Sequence, residues 1–136
     1  MALHTVRKEF SFDAAHRLVR GYDGKCAHLH GHTWRARFEI SAPGLSAMGF
    51  VRDFSDFKVM KTWIDEHLDH ACIVNSEDIE LRGWLHKQGQ RTFIMNSNPT
   101  SEELTKILFD VAVLHGLDVS AVEIDETCTS MARLER

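Results

Sequence analysis

His30-Gly31-His32-Thr33-Trp34-Arg35-Ala36-Arg37-Phe38-Glu39-Ile40 sorts by parity. His30, His32, Trp34, Ala36, Phe38 and Ile40 fall on one side, and Arg35, Arg37 and Glu39 on the other. Successive side chains of a strand point to opposite faces, so the segment reads as a strand with one apolar face that carries histidine at one end. Just upstream, Cys26-Ala27-His28-Leu29 adds a thiol and a further histidine. Further back, Phe10-Ser11-Phe12-Asp13-Ala14-Ala15-His16 repeats the pattern, with Phe10, Phe12, Ala14 and His16 sharing a parity.

If these two strands are antiparallel neighbours, His16 meets His30 and His32. Three imidazoles with an open fourth position is the catalytic zinc pattern, whereas structural zinc sites are closed by four protein ligands. Gly31 between two of the candidate ligands lets the backbone bend toward a metal. The competing reading is ordinary polar histidines near strand ends; the third histidine on a matching apolar face weighs against it, and the nine histidines of the chain weigh for it. His28 shares the parity of His30 and is a rival ligand. Cys26 sits between Lys25 and the histidines, where positive charge or a metal favours a thiolate.

Working outward, alternation predicts strands over 4–16, 30–41, 119–128 and 130–135. Residues 17–29 read as a loop with Gly21, Asp23 and Gly24, and Pro43, Gly44 and Gly49 mark the next turn. Phe57, Met60, Ile64 and Leu68 fall at helical spacing, which predicts a helix over 55–68 capped by Asp53 or Ser55. Thr100 with Glu103 makes a capping box for a second helix whose stripe is Leu104, Ile107, Leu108, Val111 and Leu114, ended by Gly116. Between the helices, 75–98 is a variable piece with a short helical pattern around Ile79, Leu81, Trp84 and Leu85 and a small strand at 91–95. The expected fold class is α+β: an antiparallel four-stranded sheet with two helices on one face, in strand-strand-helix-helix-strand-strand order.

The 136 residues fit one domain, 1–136, with a respectable core. A formal net charge of −4 and the lack of basic runs argue against a nucleic-acid partner. No signal-like or membrane-length apolar window is present, so a cytoplasmic protein with no membrane association is expected. Three widely spaced cysteines, Cys26, Cys72 and Cys128, do not make a disulfide framework. Cys72 and Cys128 read as buried small hydrophobes.

Two places break the pattern. Glu126 shares the apolar face of Val122, Ile124 and Cys128, and a buried carboxylate needs a partner. An arginine of this chain and a ligand with adjacent N–H donors are equally good partners. Leu68-Asp69-His70 follows the first helix; an Asp–His pair can act as an oriented acid/base couple, and it is also a common solvated helix end.

Taken in order, Phe12-Asp13-Ala14-Ala15-His16-Arg17-Leu18, Lys25-Cys26 with His30-Gly31-His32, Leu68-Asp69-His70, Asn98-Pro99-Thr100-Ser101-Glu102 and Glu126-Thr127-Cys128-Thr129 resemble the motifs of the 6-pyruvoyl-tetrahydropterin synthase family. The Cys-x-x-x-His-Gly-His spacing resembles the bacterial branch that forms 6-carboxy-5,6,7,8-tetrahydropterin in the queuosine pathway. Pyruvoyl-forming relatives have a longer insert, and folate-related ones a glutamate beside the cysteine.

The resemblance implies a tunnelling fold (T-fold) and homo-oligomers, trimers stacked into hexamers, with sites between subunits. It implies zinc on His16, His30 and His32, catalysis by Cys26 with an Asp69–His70 relay, and Glu126 as pterin anchor and catalytic group. Thr100 and Glu102 are implied at the substrate, 7,8-dihydroneopterin triphosphate. Sibling outcomes are a pyruvoyl product or another side-chain cleavage; the reading of a different class is a non-catalytic pterin- and metal-binding protein. Residues 76–97 are longer than in the shortest bacterial forms, Met131 stands where relatives have glycine, and His28 alters the surroundings of the metal. Lys25 and Arg17 read as solvated surface residues, with a phosphate contact as the alternative.

Overall fold

The computed structural model describes residues 2–136. The chain runs β1 (His4–His16), β2 (His30–Ala42), α1 (Lys58–His67), β3 (Ala71–Asn75), α2 (Ile79–Lys87), β4 (Thr92–Met95), α3 (Ser101–Leu114), β5 (Ala121–Thr127) and β6 (Ser130–Glu135). The strands form one sheet in the order β4-β3-β1-β2-β5-β6.

β1 and β2 pair antiparallel along their whole length, from His4 opposite Ala42 to His16 opposite His30. The alternating pattern fixes this register, because a slip of one residue would turn Phe12, Trp34 and Phe38 to solvent. On the inner face Phe12, Trp34, Ala36, Phe38 and Ile124 pack with Met60, Ile64, Leu104 and Leu108 from the helices. Each such large side chain, fully buried, contributes about 1.5–3 kcal/mol.

The opposite face is charged. Glu39, 4% exposed, is held by Arg7 and Arg133, while Arg37 binds Asp125, Glu9 and the 6%-exposed Glu123. Arg133 and Arg7 hold the Glu39 carboxyl down at about 2.

The four-strand, two-helix expectation is corrected here: among the described residues the sheet has six strands and is mixed, and there are three α-helices. β3 is parallel to β1, with Ala14 opposite Ala71, and β4 is parallel to β3. Every residue of β3 is buried, so its sequence shows an apolar run and no alternation. The predicted short helix and small strand of 75–98 are α2 and β4, which complete a parallel annex with its own cluster of Cys72, Val74, Leu81 and Leu85.

Smaller corrections follow the same physics. The helix predicted over 55–68 begins as a 3₁₀ turn, Phe54–Phe57, capped by Asp53 through the Ser55 N–H. Leu114, placed in the buried stripe of the second long helix, is 82% exposed, and Phe109 and Ala112 are buried instead. Cys128 is exposed in the β5–β6 turn beyond a register shift between Asp125 and Thr127. Among the described residues no helix is long and apolar enough to cross a membrane.

Candidate metal centre and active site

The last rungs of the β1–β2 ladder build the centre. His16 faces His30, and His32 faces Ala14 one pleat away, so the three imidazoles share the inner face above Trp34. β5 lies on the other side of β2, and its alternation brings Glu126 to the same spot. The ligand atoms of His16, His30, His32 and Glu126 all lie within 4.8 Å of one another.

Hydrogen bonds settle the tautomers. His16 Nδ1–H donates to the Pro99 carbonyl at 2.7 Å, and His30 Nδ1–H donates to the His28 carbonyl at 2.6 Å. A carbonyl only accepts, so the proton of each neutral ring sits on Nδ1 and each Nε2 is left as a lone pair. Those two Nε2 atoms face each other at 3.1 Å. Glu126 Oε1 lies 3.1 Å from His16 Nε2 and 3.4 Å from His32 Nε2, and His32 Nε2 is buried without a hydrogen-bond partner. Burial holds His16 and His32 below the ordinary histidine pKa, which keeps them neutral. Two lone-pair nitrogens, a third ring nitrogen without a hydrogen-bond partner and a carboxylate converge there, a donor set that suits a cation. Carbonyl groups orienting the ligand rings from behind are the usual support of metal-bound histidine.

The other expected site residues lie around this centre rather than in it. Cys26 is half-buried in a 3₁₀ turn, Lys25–Ala27, and its carbonyl accepts the Leu18 N–H at 2.8 Å. The backbone of Cys26 is thereby tied two residues beyond His16. His28 is exposed, is absent from the cluster and contributes its carbonyl instead of its ring.

Asp69 and His70 clip onto β1 at Asp13. Asp69 Oδ1 accepts the Asp13 N–H at 2.9 Å, and the His70 N–H donates to the Asp13 carbonyl at 2.7 Å. The Asp13 N–H, reinforced by His70, holds the Asp69 carboxyl below the usual range. His70 adopts φ +59°, and its side chain, 76% exposed, lines an open depression of about 600 Å³ with Asp13, Ala15, Gly31 and Thr33. Those four strand residues have the parity opposite to His16 and His32, while Ala14 and His32 also border the depression.

Thr100 caps α3 by accepting the Glu103 N–H at 3.1 Å, and Glu102 is exposed and accepts from the Ser101 hydroxyl. Arg17, read as solvated, is instead bidentate to Asp78 at 2.6 and 2.7 Å. The holding groups Pro99, Asp13 and Thr33 escaped the sequence reading. Asn98-Pro99 stands there as part of a motif with no role assigned to it, because a carbonyl partner leaves no mark on residue type.

An α+β fold with one mixed sheet, two helices packed on its inner face and a third on the other side of β3, and a histidine cluster at a strand end that could hold a metal, defines a small T-fold protein. The description "6-pyruvoyl tetrahydropterin synthase" matches residues 5–136, and the chain belongs to that family. It is 36% identical to a 6-carboxy-5,6,7,8-tetrahydropterin synthase of Haemophilus influenzae, covering 96% of this chain and 97% of that one. It is 36% identical to the protein of the same name in Synechocystis, with 94% and 90% covered. An uncharacterized protein of Wolinella succinogenes has the same fold, with a TM-score of 0.85 and 24% identity over 99% of each chain. A 6-pyruvoyl tetrahydropterin synthase of Caenorhabditis elegans also shares it, with a TM-score of 0.71, 20% identity and coverage of 100% and 97%.

Proposed function

We propose that this protein, as a single domain over residues 1–136, converts 7,8-dihydroneopterin triphosphate to 6-carboxy-5,6,7,8-tetrahydropterin, acetaldehyde and triphosphate, a carbon–carbon lyase reaction that feeds queuosine synthesis. The observation that carries the reading is the convergence of three imidazole nitrogens and a carboxylate, with the loop that carries Cys26 fastened beside them. The similarity to two synthases of that name over nearly the whole chain supports the choice of product.

His16, His30 and His32 would hold the metal, zinc by preference, although three imidazoles also accept other divalent ions. When bound, it supplies Lewis-acid polarisation of the substrate's side-chain hydroxyls. Cys26 removes and returns protons on the carbons next to those hydroxyls. Asp69 orients His70, with Oδ2 3.0 Å from the His70 Nδ1, as the second relay. Triphosphate departs as the first carbon–oxygen bond breaks; water then enters at the carbon–carbon bond that cleaves, leaving the carboxylate on the pterin and acetaldehyde in solution. Glu126 meets the adjacent N–H groups of the pterin edge, a charge-assisted pairing, and Thr100 and Glu102 lie at the entrance of the same end. Asp13, Ala15, Gly31 and Thr33, which line the depression beside His70, face away from the triad, and this supports a working site that takes the relay from a neighbouring copy in a homo-oligomer.

Incubating metal-loaded protein with 7,8-dihydroneopterin triphosphate and identifying products by mass spectrometry tests the reading. 6-Carboxy-tetrahydropterin with acetaldehyde is the expected result. A pyruvoyl product would replace the lyase assignment with the sibling activity, and no conversion at full metal occupancy would favour a binding protein.

A further inference from the structure

Asn98 and Pro99 are adjacent, and each holds a different part of the centre. The Pro99 carbonyl fixes the His16 ring. The Asn98 side-chain amide bonds Val19 twice: Oδ1 accepts the Val19 N–H at 3.0 Å, and Nδ2 donates to the Val19 carbonyl at 2.8 Å. An amide that pairs with both polar groups of one residue does what a neighbouring strand does, here for a loop that has none. A third bond sets which way round the amide lies. Asn75 Nδ2 donates to Asn98 Oδ1 at 3.1 Å, while Asn75 Oδ1 accepts the Glu77 N–H at 3.0 Å. Asn75 is 3% exposed, so this network and not solvent orients it.

The linkage reaches the thiol through one more bond. Leu18, next to Val19, donates its N–H to the Cys26 carbonyl. The turn carrying Cys26 is closed by the Ala27 N–H on the Gly24 carbonyl at 3.1 Å. Between these ties the chain reverses through Arg20 at φ +69° and Gly21 at φ +85°. Arginine is strained in the left-handed region, so the reversal persists only while its flanks are held.

We propose that Asn98, oriented by Asn75, is a positioning residue that sets the separation of the Cys26 thiol from the histidine triad. The proposal rests on the acid/base role given to Cys26 above. Asn98 acts through Val19 and residues 17–24 and touches neither substrate nor metal. With Pro99 it makes a two-residue jig: one carbonyl for a ligand ring, one amide for the thiol loop.

The test is Asn98→Ala in the full-length, metal-loaded protein. Three quantities are read: kcat and KM on 7,8-dihydroneopterin triphosphate, bound metal, and the rate of iodoacetamide alkylation at Cys26 and Cys128, resolved by peptide mass. A misplacement of about 1 Å costs roughly 100-fold in rate, so kcat is expected to fall by that order with KM within about threefold. Metal content stays at the wild-type level. Loss of two hydrogen bonds raises Cys26 alkylation about tenfold, with Cys128 unchanged. Asn98→Asp, which keeps both acceptor bonds and loses the donor, should fall between; it carries the test if the alanine variant does not fold.

Wild-type Cys26 alkylation together with near-wild-type kcat would overturn the proposal. So would a parallel change at Cys128 with metal loss, which marks general loosening. If the wild-type protein itself turns over no substrate, the enzymatic reading fails, while the alkylation arm still decides whether Asn98 holds the loop.

Discussion

Glu126 shows how much one side chain can carry. Its carboxylate is 26% exposed at the mouth of the triad and has Oε1 within reach of two histidines, so both a metal and a pterin edge are accessible to it. Glu126→Gln separates the two uses. Charge-assisted hydrogen bonds contribute about 1.5–3 kcal/mol, so pterin affinity should drop about 10- to 100-fold while zinc affinity, held by three imidazoles, changes much less. Titrating the variant with each ligand by calorimetry checks this; metal lost ahead of pterin would end the anchor role. Alternation alone marks Glu126 as misplaced on an apolar face, and the structure puts it against histidines rather than arginines. That outcome is not readable from sequence, because the partners lie on strands about 100 residues earlier in the chain. The Asn75–Asn98 pair is silent for the same reason: an asparagine in a turn and one at a strand end look ordinary until the fold joins them.

At the scale of elements, the two faces of the sheet differ in what stabilises them. The inner face is held by packing and the outer by a lattice of ions centred on Glu39. Its folded-state pKa of about 2 lies below the unfolded value near 4.5, so the ion lattice contributes its full stability above the unfolded value. That contribution declines as pH falls from about 4.5 toward 2. The shift corresponds to about 3 kcal/mol, less whatever solvent screens at the half-exposed Arg7 and Arg133. Thermal melts across this window should show a falling midpoint. Glu39→Gln should cost about 2 kcal/mol at neutral pH and flatten the acid limb; an unchanged acid limb would place the sensitivity in other carboxylates. Strand alternation gives this charged face directly from the sequence, as it gives β1, β2, β5 and β6. It misses β3, since Ala71–Asn75 is buried on both faces and carries no period. The short helix and small strand of 75–98 are legible, but without β3 between them and β1 nothing in the sequence joins them to the sheet.

For the whole molecule, a relay supplied by a neighbouring copy, as proposed, would make the assembly part of the chemistry. Cys26→Ala and His70→Ala should each be inactive alone. Unfolded together and refolded, they should recover about a quarter of wild-type turnover, because random mixing gives that share of sites one intact group from each subunit. No recovery, with mixed oligomers demonstrated by mass, would confine the site to one chain.

The neck formed by His16 opposite His30 has a consequence for how such proteins can change over generations. Two ligands belong to the final rung of a long ladder, whereas the thiol belongs to the loop that leaves that rung and returns to it. Insertions or deletions in 17–29 therefore alter the reach of Cys26 and leave the histidine cluster where it was. The two are inherited on separate pieces of chain, so a lineage can edit the loop without first losing the cluster.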